Sequence, residues 1–294
     1  MRPPDVPVFL DRLADAADYA VIGPVDGRRQ VLQTRRAPFN AVCRLERDFG
    51  NGRISGCTGF LIGPRLVLTA GHCLYSPARR ALGGQPTPRM IHALPGQADG
   101  IERPFGRHPA KRWFVHRRYM RAAARPFDVG LIELAGEVGN VPPFRLHVPS
   151  DAELRRLRQT RLVHISGYPG DKPRGTQWQH EERLDRVTRR DLFYSVDTCP
   201  GHSGAPVWVE RWPDSRRSVV GIHTAGPRPH AEGPWGCRAG VPMAPTGHVN
   251  RGVRLTPDLA AAVRSHMAGR PSTLFVKVAE AADATKHPSN ATDG

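Results

Sequence analysis

The chain has 294 residues, room for one or two domains, and its 43 Lys+Arg against 27 Asp+Glu leave a formal net charge of +16. No apolar segment is long enough to cross a membrane as a helix, so no membrane partner is expected. The basic excess lacks aromatic interleaving and any recognised nucleic-acid motif, which points to a solvated arginine-rich surface and no specific nucleic-acid partner.

Along the chain, Met1-Arg2-Pro3-Pro4 lacks the long apolar core of a signal peptide, and Val6 to Leu10 is too short to serve as one. Residues 1–20 read as an N-terminal extension or the remnant of a propeptide. Short apolar runs broken by Gly and Pro turns then predict strands at Ala41–Leu45, Gly59–Ile62, Leu66–Thr69 and Val129–Leu134. Between Arg103 and Arg125 basic residues are frequent and acids absent, which reads as surface. Further strands are predicted at Leu162–Gly167, Ala205–Val209 and Ser218–His223. One helix is predicted near the end. Thr256 suits an N-cap, Pro257 the first helical position, and Leu259, Val263 and Met267 space an apolar stripe that Gly269 and Pro271 stop. From 269 to 294 a flexible tail is expected; the Asn290-Ala291-Thr292 sequon in it is a pattern frequent by chance. There is no internal repeat, and the balance of elements is all-β.

Chemistry concentrates in Asp197-Thr198-Cys199-Pro200-Gly201-His202-Ser203-Gly204-Ala205-Pro206. A serine among glycines suits a nucleophile whose backbone must approach a substrate closely. The N–H groups of Gly201 and Ser203 would form an oxyanion hole. Leu66 to Cys73 is an apolar β-rich run that ends in small residues and delivers His72, the kind of rigid support a general base needs. Asp128 opens the apolar run Val129 to Leu134, where burial calls for a hydrogen-bonding or cationic partner such as an imidazole. His72, Asp128, Ser203 is the chain order of the chymotrypsin-type serine proteases, and the α/β-hydrolase elbow is disfavoured by Ala205 in place of its last glycine. In that template Ser203 attacks the carbonyl, His72 carries the proton, and Asp128 orients the ring.

The chain is similar to a branch of that family, the secreted bacterial glutamyl endopeptidases, over roughly residues 21–268. Val21-Ile22-Gly23-Pro24 resembles the mature N-terminus of those enzymes. Ser55 to Pro64 resembles the strand before the one carrying the base. Ile165-Ser166-Gly167-Tyr168-Pro169-Gly170-Asp171-Lys172 resembles a family loop, and Val249 to Thr256 the final strand leading into a C-terminal helix. The resemblance implies two six-stranded antiparallel barrels: residues 21–145 with His72 and Asp128, and 146–268 with Ser203 and the helix. It also implies disulfides Cys57–Cys73 and Cys199–Cys237, leaving Cys43 as a buried thiol. Two disulfides imply an oxidising compartment, so a secreted or periplasmic bacterial protein is expected although no signal peptide is visible.

The same resemblance implies cleavage after Glu, with the substrate carboxylate held by His223, Thr198, the adjoining Thr224 and the α-amine of a processed Val21. A cationic His223, a hydroxyl and an ammonium would supply donors and positive charge to a carboxylate leaving water. Removal of residues 1–20 would then activate a zymogen. Asp197 points the other way: it lies six residues before Ser203, where trypsin-type enzymes place the acid that binds Arg or Lys. Cleavage after Arg or Lys therefore stays open, as does a protease fold reused as a polyanion-binding module. No metal or cofactor is expected, since neither His-Glu-x-x-His nor Cys-x-x-Cys occurs. The expected partner is a protein or peptide substrate, met by a monomer.

Overall fold

A computed structural model describes residues 22–50, 52–160, 162–211, 216–226, 236–237, 243 and 249–281. The chain enters through a two-residue strand, β1 (Arg29–Gln30), and then builds a first barrel from β2 (Val42–Asp48), β3 (Ile54–Gly63), β4 (Leu66–Thr69), β5 (Met90–Pro95), β6 (His108–His116) and β7 (Gly130–Leu134). These pair antiparallel in the order β6-β5-β2-β3-β4-β7, and β7 returns to β6, so the sheet closes. After β8 (Arg145–Leu146) and a helix at Asp151–Thr160 come β9 (Leu162–Gly167), β10 (Trp178–Val187), β11 (Asp191–Tyr194), β12 (Pro206–Arg211), β13 (Arg216–Ala225) and β14 (Asn250–Arg254). They pair in the order β10-β11-β14-β13-β12-β9, and β9 returns to β10 as the second closed barrel. Closure leaves neither six-stranded sheet with a free edge.

The two-residue period of the strands sorts their side chains between two cores. On β12, Val207 and Val209 fill the interior of the second barrel, while Trp208 between them turns to the other face and joins an apolar cluster continuous with the first barrel. On β13 the register slips at Val220, so Val220 faces the second interior while Val219 and Ile222 both face the shared cluster. Leu255, Leu259 and Val263 extend that cluster into the C-terminal helix, Pro257–Met267. The barrels are thus welded by apolar packing, and the cleft between them has fixed walls.

The termini cross over. β1 pairs with β10 of the second barrel, and a last strand, β15 (Phe275–Glu280), pairs antiparallel with β6 of the first. The flexible tail expected from residue 269 therefore does not begin there. Phe275 is buried against His116 and His266, and the alternation Phe275-Val276-Lys277-Val278 suits an edge strand. Residues 1–21 and 282–294, with the expected propeptide and sequon, lie outside the described residues. In the helix, Leu259 and Val263 are buried but Met267 is 48% exposed, because it sits at the last turn beyond the packed face. Thr256 precedes the helix without capping it; its hydroxyl donates to the Asp258 carboxylate instead.

Candidate active site

β4 ends at Thr69, and a single 3₁₀ turn, Gly71–Cys73, swings His72 off the strand end. Pairing of β4 with β7 sets Thr69 opposite Gly130, which brings Asp128 alongside that turn. The Asp128 carboxylate is used at both oxygens. The His72 main-chain N–H donates to Oδ1 at 2.8 Å, and the His72 ring Nδ1 lies 2.7 Å from Oδ2. Residue 71 must be small, since a Cβ there would sit 3.0 Å from Asp128 Oδ1. Asp128 is an acceptor on both oxygens when ionised, so Nδ1 carries the proton and Nε2 is left as the basic nitrogen. The disulfide Cys57–Cys73 fastens the residue after His72 to β3.

Ser203 lies in the loop between β11 and β12, fully buried at the level of the whole residue. Its carbonyl accepts from the Thr58 N–H at 2.9 Å, and Cys73 Sγ is 3.5 Å from the same oxygen, which places Ser203 beside the residue that follows His72. Thr58 is a hub. Its hydroxyl donates to the Gly201 carbonyl at 2.7 Å and accepts from the Tyr168 N–H at 3.0 Å, while its carbonyl accepts from the Thr69 hydroxyl at 2.7 Å. A chain of hydrogen bonds thus runs from the strand that carries His72 across the cleft to the serine loop. Gly201 and Gly204 have φ of 103° and 87°. A Cβ at Gly201 would collide with the Tyr168 carbonyl oxygen, and one at Gly204 with Thr58 O and Thr69 Oγ1, so both positions require glycine.

The wall beyond Ser203 contains His223 on β13, Thr198 and Tyr194 on β11. All three are fully buried, and Thr224 beside His223 is 1% exposed. Tyr194 Oη lies 2.8 Å from His223 Nδ1. Burial keeps the phenol protonated, and Nδ1 is the one acceptor its O–H meets among the described residues, so with the O–H donating to Nδ1 the ring proton sits on Nε2. Burial, and then the charge of His72, lowers the His223 pKa to about 3. His223 is therefore a neutral N–H donor at neutral pH, not the imidazolium expected from the resemblance. Among the described residues neither His223 Nε2 nor the Thr198 hydroxyl has a hydrogen-bond partner. Two such buried groups cost about 1–3 kcal/mol each unless a ligand meets them.

This arrangement coincides with a sequence match of residues 27–243 to the trypsin family. The chain belongs to the trypsin family. It is 34% identical to the glutamyl endopeptidase of Bacillus licheniformis over 212 residues, 70% of this chain and 61% of that protein. It is 30% identical to the extracellular metalloprotease of Bacillus subtilis over 209 residues, 70% of this chain and 63% of that one. The chain thus spans less than two thirds of the length of these relatives. A solved Glu endopeptidase superposes with a TM-score of 0.66 at 25% identity, covering 84% of this chain and all of the other.

Within this trypsin-family cleft Asp197 is not a pocket acid. It is 3% exposed, and its Oδ1 and Oδ2 accept from the main-chain N–H groups of Gly23 and Gly27 at 2.7 and 2.8 Å. Its own N–H donates to His180 Nδ1 at 2.8 Å, so that nitrogen is an acceptor and the adjacent His180–Asp197 contact of 3.4 Å is no ion pair. Asp197 instead anchors the N-terminal segment, whose Ile22 packs on the Cys199–Cys237 disulfide. Arg28 carries the anchoring further: it pairs with Asp26 at 2.8 Å and Asp171 at 2.5 Å, and Lys172 joins Asp26 at 2.9 Å. Burial would raise the Asp26 pKa, but Arg28 and Lys172 outweigh it and hold the carboxyl well below its usual range. The neighbouring Gly170 N–H donates to the Pro200 carbonyl at 2.7 Å, so this network reaches the serine loop. Val21 lies outside the described residues.

The clustering of Cys57, His72 and Cys73 has the donor set of a metal site, but both sulfurs are joined in a disulfide and the His72 ring is held by Asp128. Cys43 is a buried thiol whose pKa burial raises far above its ordinary value. Thr58, Thr69, Tyr194 and His180 are the site residues that sequence reasoning missed. Thr58 interrupts an apolar strand and Thr69 ends one, which is the signal that would have marked them.

Proposed function

We propose that the protein is a serine endopeptidase that hydrolyses peptide bonds after Glu. Ser203 Oγ attacks the scissile carbonyl, and His72 Nε2 takes its proton and returns it to the leaving amine. Asp128 fixes the ring tautomer and stabilises the imidazolium, and the Gly201 and Ser203 N–H groups receive the oxyanion. The observation that carries the specificity is the pair of buried groups without partners among the described residues, His223 Nε2 and Thr198 Oγ1, in a wall where Asp197 is already saturated by main-chain donors. A Glu carboxylate supplies acceptors for both, and Thr224 lines the same strand. An Arg or Lys side chain would leave them unsatisfied. The α-amine of a processed Val21 would add positive charge beside the docked segment 22–28. The extracellular protease among the bacterial relatives and the two disulfides support action outside the cytoplasm on protein or peptide substrates.

The test compares wild type with Ser203→Ala on matched peptides bearing Glu or Arg before the scissile bond. Hydrolysis after Glu by wild type alone is expected. Efficient cleavage after Arg with none after Glu, or activity surviving Ser203→Ala, would overturn the reading.

A further inference from the structure

A second cleft lies on the surface of the second barrel, and none of the residues assigned to catalysis lines it. It encloses about 910 Å³ between the helix Asp151–Thr160, the turn joining β10 to β11, and the start of the C-terminal helix. Five arginines line it against two aspartates. Two of the five build its walls. Arg254 reaches Asp151 at 2.8 Å, the Pro149 carbonyl at 3.0 Å and the Thr188 carbonyl at 3.3 Å. Arg190 pairs with Asp258 at 3.2 Å. These bonds tie all three elements together, so the cleft is preformed.

The other three, Arg155, Arg158 and Arg189, are exposed, and among the described residues they have no carboxylate, carbonyl or ring partner. Arg155 and Arg158 stand three residues apart on one helix face, and Arg189 projects from the facing turn. Like charges gathered on rigid walls repel one another, and an anion relieves that repulsion. Three guanidinium forks also present more N–H donors than one carboxylate can accept, whereas a tetrahedral oxyanion offers more oxygens and more charge.

We propose that this cleft is a binding site for phosphate or sulfate groups, independent of the peptidase reading. The probes are inorganic tripolyphosphate and a heparin-derived hexasaccharide, titrated calorimetrically into the full chain carrying Ser203→Ala. One-to-one binding of either is expected, and the preferred probe identifies the source as phosphate or sulfate. Replacing Arg155, Arg158 and Arg189 together by Gln should weaken it at least 10-fold. The charge-matched replacement of the distant exposed Arg36, Arg103 and Arg270 should change it less than 3-fold. Replacing Arg155, Arg158 and Arg189 together by Lys, which keeps the charge but loses the forks, should weaken binding at least 3-fold, and all three triple variants are checked for an unchanged melting temperature. Equal losses in the two Gln variants, full binding by the Lys variant, equal affinity for a short poly-glutamate, or no binding of either probe would overturn the proposal.

Discussion

Two residues in the proposed pocket wall separate a group that holds the fold from a group that the proposed function assigns to the substrate. Asp197 is of the first kind, because two main-chain N–H groups of the segment 22–28 converge on it. Asp197→Asn keeps one acceptor but turns an NH₂ toward a backbone donor, so docking of that segment is weakened. The expected result is a fall of about 10-fold in kcat/KM on Glu peptides, from loss of one or two charge-assisted hydrogen bonds. If Asp197 were instead an open pocket acid, removing its charge would raise kcat/KM on those peptides, so the sign alone decides. Thr198 is of the second kind, a buried hydroxyl with no partner among the described residues. Thr198→Val removes an unsatisfied group while keeping the volume. Its melting temperature should hold or rise, whereas kcat/KM after Glu should fall by about 10- to 100-fold, the worth of a hydrogen bond to a charge. A variant that loses stability together with activity would mark Thr198 as structural.

The strands differ in how openly their sequences announce them. β4, β7 and β9 are runs of apolar residues and were legible, as were the turns that carry His72, Asp128 and Ser203. β6 was not: Arg and His at 107, 108 and 112 read as a basic surface run, yet Trp113, Phe114 and Val115 are buried and Arg112 is neutralised by Glu133 across the strand pair. β10 hid for the opposite reason, since Gln179 to Arg183 is almost wholly polar and is held as a strand by its ladders to β9 and β11 rather than by burial. β15 hid because its edge position needs only Phe275 inside. The positions of the catalytic candidates were legible because chemistry demands particular residue types, whereas the support beneath them was not, because Thr58 acts through pairings far apart in sequence. Thr58→Val tests that support. It leaves the Tyr168 N–H and Gly201 carbonyl without their partner, which costs about 1–3 kcal/mol for each buried group. The melting temperature should drop, and kcat should fall more than KM rises as the Ser203 loop loosens. Unchanged kcat on a folded Thr58→Val protein would detach the hub from the serine.

At the scale of the whole molecule, the basic surface conceals a core that resists protonation. His202 and His223 are fully buried and held below the ordinary histidine value of 6.5 by burial, His202 well below and His223 to about 3. His116, packed against Phe127 and Phe275, is lowered to about 4 by burial and then by Arg190. Each takes up its proton near pH 6.5 once unfolded but stays neutral in the fold, so between those limits the unfolded state binds more protons and stability rises with pH. Their contribution is complete above about pH 6.5 and drains away as pH falls toward the folded values, by about 1.4 kcal/mol per pH unit for each of the two fully buried rings. Asp26 works in the same direction but lower, because its depressed carboxyl loses stabilisation only as pH falls below the ordinary carboxylate range. The urea midpoint is therefore expected to be flat from pH 8 to 7 and to decline steadily from pH 6.5 to 4. His223→Gln, which cannot titrate, should show a shallower decline than wild type even if its midpoint at pH 7 is lower. A midpoint independent of pH between 6.5 and 4 would mean that these rings are already solvated in the fold, and would remove the neutral His223 donor on which the proposed recognition of Glu is built.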